Sequence, residues 1–223
     1  VSTRDNLSLL CYTECNNDSS QAIKDCRGIV FKGEDILFKG YSYTPEYTYD
    51  DYDTLTAIDM ASYRIFLARE GTLIRLFHSD GAWYPTTHRR LDISNSRWGS
   101  KKTFHELLNE ALDYEMEVSE SFKNKVECAQ TTESLPVSVY DRWVSTLDTG
   151  KQYMLLLQTC TENRIVCKNG DKPRVFDAGY IQDGSLHLDG SDTLLEPPTE
   201  VKETFGIWDD LLDYIETKID AFQ

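Results

Sequence analysis

The sequence predicts an α+β fold built mainly from antiparallel sheets. Three observations carry that expectation. Strand-like segments come first, helical periodicity follows, strands return, and one helix closes the chain. Asp80-Gly81 and Asp183-Gly184 mark hairpin turns, because such turns need positive φ. Neither a G-x-G-x-x-G fingerprint nor a Gly-Lys-Ser/Thr loop is present, which argues against a doubly wound nucleotide-binding sheet.

Taken in order, residues 1 to 25 read as an edge strand around "LSLLCY" followed by a loop at "NNDSSQ". "CRGIVFKGEDILFKG" reads as a β-hairpin turning at Gly33-Glu34-Asp35. The acidic, aromatic "YSYTPEYTYDDYD" has no helical period and reads as a surface loop. Ser62 to Arg90 read as three strands, with turns at Glu70-Gly71 and Asp80-Gly81. From Thr103 the period becomes 3.6. Phe104, Leu107, Leu108, Ala111 and Leu112 share a face, and Thr103 with Glu106 forms a capping box. "SESFKNKVECAQ" and "PVSVYDRWVSTLD" read as two further helices. "KQYMLLLQTC", "RIVCKN", "RVFDAGYI" and "SLHLDG" return to strands, turning at Gly170-Asp171 and Asp183-Gly184. "LLEPPTE" is a linker. Trp208, Leu211, Leu212, Ile215, Ile219 and Phe222 stripe a final helix, with Asp209 and Asp210 in its first turn.

The chain has 223 residues, 40% hydrophobic and 12% aromatic, enough to bury a sizeable core. No apolar run approaches the roughly 20 residues that span a bilayer, so no membrane partner is expected. The start at Val1 lacks a basic region followed by an apolar one and reads as trimmed or processed, without a signal peptide. The expected compartment is intracellular, in the cytoplasm. Cysteines at 11, 15, 26, 128, 160 and 167 lack zinc-finger spacing with the scattered histidines and read as reduced, buried thiols.

The net charge of −15 opposes non-specific binding of nucleic acid, so any phosphate contact must come from a local basic patch. One exists. Arg89, Arg90, Arg97, Lys101 and Lys102 face a single acid, Asp92, between His88 and Lys102. Trp83 and Trp98 lie nearby in sequence. Guanidinium forks grip phosphate and aromatic rings stack bases, although a solvated basic turn would look the same. Glu70-Gly71, taken alone, is ordinary turn chemistry. Arg27 and Arg164 each precede an Ile/Val-rich strand and read as ion-pair partners of Asp25 and Glu162. No nucleophile–base pair or metal-ligand set is discernible.

"CRGIVF", "REGTLIRLF", "WYPTTHRR" and "QYMLLLQTCTENRIVCK", in this order, resemble motifs of the RNA ligase branch of the covalent nucleotidyltransferases, the bacteriophage RNA ligase 1 type. The chain also resembles ligase-like proteins of large DNA viruses. The match spans roughly residues 26 to 185, and residues 1–223 read as one such domain, cut short at its C-terminus. The resemblance implies a nucleotide cleft between two antiparallel sheets. In active members a lysine attacks the ATP α-phosphate with Mg²⁺ present, and AMP passes to an RNA 5′-phosphate. Carried over, Glu70 matches the acid that contacts ribose, and Gly71 the backbone approach to the ligand. Arg27 matches the upstream arginine near the nucleotide, and Arg89 a basic residue facing phosphate.

Three departures accompany the resemblance. Ala68 occupies the nucleophile position, and a methyl group forms no phosphoramide. The family's Phe-Glu falls on Leu156-Leu157 or Leu157-Gln158, without the carboxylate. The later strands carrying a metal-linked carboxylate and phosphate-binding lysines are not found. The expectation is therefore a ligase-fold protein without self-adenylation, binding a nucleotide, an RNA end, or a protein partner that completes the fold. ATP or AMP with Mg²⁺ would be its cofactors if ligase activity survived. Two other readings stand beside it. One is an ATP-dependent RNA ligase represented by a mutated or shortened chain. The other is a scaffolding subunit that uses the acidic loop from Glu46 to Asp53.

Overall fold

The structure is a computed structural model describing residues 1–129, 138–159, 171–190 and 192–220. In chain order the first half holds β1 (Ser2–Arg4), β2 (Leu7–Cys11), α1 (Gln21–Asp25), β3 (Arg27–Lys32), β4 (Asp35–Phe38), α2 (Tyr52–Thr56), β5 (Thr72–Ser79) and β6 (Ala82–Thr86). Then come α3 (Phe104–Val118), α4 (Glu120–Cys128), α5 (Val139–Val144), β7 (Gln152–Gln158), β8 (Arg174–Gln182), β9 (Ser185–His187) and α6 (Trp208–Asp220). They form two compact units. The first joins Val1–Tyr43 to Arg69–Pro198, and the second joins Thr44–Ala68 to Thr199–Gln223.

The fold is α+β, with two antiparallel sheets in the first unit. Their strand orders are β1-β2-β3-β4 and β6-β5-β7-β8-β9. The turn chemistry explains the hairpins. Asp80 and Gly81 sit at φ 50 and 78, and Asp183 and Gly184 at φ 50 and 76, which lets two residues close each pair. The sheets pack face to face through Leu7, Leu9, Val30 and Phe38 on one side and Phe77, Tyr84 and Met154 on the other. The opposite face of the five-stranded sheet packs under α3, α4 and α5 through Ile74, Leu76, Leu155, Leu157, Leu108, Phe122 and Trp143. The alternation along β5 and β7 thus serves two cores, so both strands read as nearly continuous apolar runs. At the start of α3, Thr103 Oγ1 accepts from Glu106 N at 3.2 Å, and the Glu106 carboxylate accepts from Thr103 N at 2.7 Å, completing the capping box.

Several expectations are corrected. Residues 1 to 25 make two strands and the short helix α1, and β2 lies inside its sheet between β1 and β3; Asp5, at φ 54, turns the hairpin. "FLAREGTLIRLF" is no hairpin at Glu70-Gly71. Only Thr72–Ser79 is a strand, because its two edges are taken by β6 and β7. "YSYTPEYTYDDYD" is not all loop, since a 3-10 turn at Tyr49–Asp51 leads into α2. Cys11, Cys15 and Cys26 are half-buried and Cys128 is exposed, all as free thiols, rather than core residues. "RIVCKN", with Arg164, Glu162, Cys160, Cys167 and Gly170, lies outside the described residues.

The second unit is small. Met60, Phe205 and Leu211 form its core, with Ile58, Ile65, Val201, Trp208 and Tyr214 packed around them. Phe66 pairs with Glu200 in an isolated bridge, and Arg64 grips the Glu200 carboxylate with two bonds of 2.8 and 2.7 Å.

Candidate functional site

The segment after β6 is anchored before it presents anything. Leu91 is buried in the core between the sheets and Ile93 in the core under the helices. Asp92 accepts from Ser94 N at 2.8 Å and caps the turn Ile93–Asn95. Ser96 Oγ donates to Asp92 O, and Ser96 O accepts from Phe104 N at 2.8 Å, joining the loop to the start of α3. Upstream, Thr87 Oγ1 accepts from the amides of Arg89 and Arg90 at 3.3 and 3.1 Å, while Thr87 N donates to Arg90 O at 2.9 Å. The hydroxyl thus closes the turn and leaves the two arginine side chains exposed.

Arg75 fixes this turn to the other sheet. It is 1% exposed, in mid-β5. Its guanidinium donates to Gly28 O on β3 and, at 2.6 Å, to Thr87 O, and it lies 4.9 Å from the Phe38 ring centroid. Burial holds its pKa down to about 10. Gly28 is required by the same junction. Its φ is +77, and a Cβ there would lie 2.6 Å from His88 O. The glycine of "CRGIVF" therefore reflects the meeting of β3 with the Thr87 turn.

Beside β3, β5, the loop after β6 and the start of α3, this arrangement leaves a cavity of about 630 Å³. Arg27 enters its wall from β3 and Leu73 from β5, and the loop adds His88, Arg89, Arg90, Arg97 and Trp98. Four arginines line it and, among the described residues, no carboxylate does. The ion pairs of the described residues engage Arg4, Arg64, Arg69 and Arg174, but none engages Arg89, Arg90 or Arg97. Arg89 Nε donates to His88 Nε2 at 3.4 Å, which requires a neutral imidazole. Burial first, then the charges of Arg27, Arg89 and Arg75, depress the His88 pKa to about 4. Trp98 is 54% exposed, so a ring face is open to stacking.

Of the residues singled out from sequence, Arg27, Gly71, Arg89, Arg90 and Arg97 line this one cavity. Lys101 and Lys102 are not among its lining residues; Lys102 Nζ pairs with Glu110 at 2.5 Å. Arg97 donates to Lys101 O at 3.4 Å. Asp25, the expected partner of Arg27, instead accepts from Lys39, Ser42 and Gln21, which hold its pKa down to about 2. Arg27 donates to Ser42 O at 3.1 Å. Glu70 is half-buried and its carbonyl accepts from Gln158 Nε2 at 3.2 Å. Gly71 is held by its own fold, since a Cβ there would lie 2.6 Å from Leu157 O. Leu157 is fully buried in the helix-side core, and Ala68 is exposed. Sequence reasoning missed Arg75, Thr87 and His88. A lone arginine inside the apolar run "TLIRLF" was the available signal for the first.

Fold and site together define an α+β protein with two antiparallel sheets and an arginine-lined cavity. No family model matches the chain. It is 29% identical over 154 residues to the immediate-early protein ICP-46 homolog of Invertebrate iridescent virus 6, covering 67% of this chain and 32% of that protein. It is 27% identical over 99 residues to the protein of the same description from Invertebrate iridescent virus 3, covering 44% and 22%. The chain therefore spans a third or less of the length of these relatives. Among the described residues, no helix is long and apolar enough to cross a membrane.

Proposed function

We propose that this chain is an RNA-ligase-like, nucleotidyltransferase-fold protein that binds a phosphorylated nucleotide or RNA end without becoming adenylated. One observation carries the reading: a cavity with four arginines and, among the described residues, no carboxylate in its lining, inside a chain of net charge −15. The global field repels polyanions, so this local reversal of sign selects for a phosphate brought to one place. Arg89 and Arg90, on adjacent positions of a closed turn, supply bidentate forks, with Arg27 and Arg97 as further donors. Trp98 supplies the stacking face for a base. Ala68 offers no amine for a lysyl-AMP bond. The relatives' organisms support a setting inside a virus-infected host cell.

The test is fluorescence anisotropy of a 5′-phosphorylated oligoribonucleotide across a salt series. Each phosphate contact to a single strand contributes a slope of about −0.7 in log K against log salt, so the double variant R89E/R90E is expected to flatten the slope by about 1.4 and to weaken binding. Wild-type protein that ignores the probe, or a variant with unchanged affinity and slope, would end this reading.

A further inference from the structure

Charge is strongly segregated along the chain. The two segments of the second unit hold twelve carboxylates against three basic side chains, a formal −9 of the chain's −15. The same unit carries an open apolar groove of about 590 Å³. Its walls include Tyr52 and Leu55 of α2, Tyr63, Arg64, whose charge is paired with Glu200, and Trp208, Leu212 and Ile215 of α6.

Along α6, Leu211 is buried with Met60 and Phe205, whereas Trp208, Leu212 and Ile215, at i, i+4 and i+7, line the groove. The groove is thus the open flank of that core, with Trp208 packed on the core and Leu212 and Ile215 extending the apolar face beyond it. Tyr52, Tyr63 and Ile215 are 45%, 63% and 39% exposed, a concentration of apolar surface that marks an interaction site. Acids flank it. Asp50, Asp53, Asp213 and Glu216 are all exposed, and Asp209 accepts from the Tyr52 hydroxyl at 3.0 Å.

Charge decides the occupant. Nucleic acid and anionic lipid are repelled by −9, and a second copy would bring the same −9 against it. What suits an apolar trough between two helices with an acidic rim is an amphipathic helix whose apolar residues recur at i, i+3/i+4 and i+7 and whose flanks carry Lys or Arg. We propose that this groove docks a basic amphipathic helix of a protein partner. The surface belongs to the second unit and is independent of the arginine cavity.

The probe is an idealised leucine–lysine helical peptide, labelled for anisotropy, set against a scrambled peptide of identical composition. The ordered peptide is expected to bind and to shift the tryptophan emission to the blue, and Trp208→Phe should abolish that shift. Ile215→Glu, at an exposed position whose unchanged thermal melt would confirm the fold, is expected to weaken binding at least about tenfold. The scrambled peptide is expected to lose a similar factor. Equal binding of both peptides would reduce the effect to charge attraction and overturn the proposal. So would an indifferent Ile215→Glu, or no binding at all. Self-association in sedimentation velocity that Ile215→Glu abolishes would replace the partner with a second copy.

Discussion

Replacing Arg75 by Met tests the junction on which the cavity depends. The guanidinium is 1% exposed and donates to Gly28 O on one sheet and Thr87 O on the other. Met keeps the length of the side chain and none of its donors, so two carbonyls at the meeting of β3 and the Thr87 turn lose their partner. Orphaning each costs about 1–3 kcal/mol, and losing the contact with Phe38 about 0.5–1 kcal/mol more. Against this, the variant no longer buries a cation, whose desolvation already lowers the Arg75 pKa. The balance is a loss of about 3 kcal/mol. For a unit of this size that is about 6–12 °C in Tm. Urea unfolding read by near-ultraviolet circular dichroism measures the first quantity, and scanning calorimetry the second. The same variant is expected to bind the phosphorylated oligonucleotide more weakly at temperatures where it is fully folded, because the turn bearing Arg89 and Arg90 loses its tie to β5. Arg75→Lys, which reaches one carbonyl but not both, should fall between. A Met variant as stable as the wild type, or more so, with intact binding would show that the buried cation is a burden the fold merely tolerates.

Two further outcomes follow from the same region. The His88 pKa of about 4 in the folded chain lies below its ordinary 6.5, so the unfolded chain binds more protons between those values. Stability should therefore be complete above pH 6.5 and fall as pH drops towards 4, by about 2 kcal/mol after allowing for partial solvent screening. His88→Gln should remove that limb when urea midpoints at pH 7 and pH 5 are compared; an undiminished limb would show that other groups cause it. Gly28→Ala combines a left-handed backbone with a Cβ at 2.6 Å from His88 O and should cost about 2–4 kcal/mol in urea unfolding. Gly33→Ala, at φ +63 but facing open space, should cost only about 1 kcal/mol. Equal losses would mean that crowding at Gly28 has no energetic weight.

What was legible in the sequence was whatever is set by neighbours a few residues apart. The Asp80-Gly81 and Asp183-Gly184 turns, the Thr103–Glu106 box and the apolar face of α3 are local bargains between adjacent backbone groups, and each stands as read. The errors came where partners lie far off. Phe66 to Arg69 alternate well enough for a strand, but β5 already has β6 and β7 on its edges. Of the site, the sequence supplied the arginines of "THRR" and Arg97, because a run of positive charge in an acidic chain is visible without a fold. Their convergence with Arg27 was not visible, since β3 and the loop lie far apart in sequence and are joined through the buried Arg75. Gly71 was read from the resemblance as letting the backbone approach a ligand; it lines the cavity, and its missing Cβ also clears the carbonyl of Leu157.

The interleaving of the second unit also bears on how the molecule comes to exist. Its first segment, Thr44–Ala68, leaves the ribosome roughly 130 residues before its second, Thr199–Gln223, begins. At about 5–20 residues per second the wait is on the order of ten seconds. Throughout it Met60 and Ile65 have no Leu211 or Phe205 to pack against, and Phe66 has no Glu200 to pair with. A nascent chain therefore trails a sticky, unfinished half behind a part already able to collapse. Premature termination anywhere in that interval would leave Met60 and Ile65 exposed for holdase chaperones or proteases to recognise.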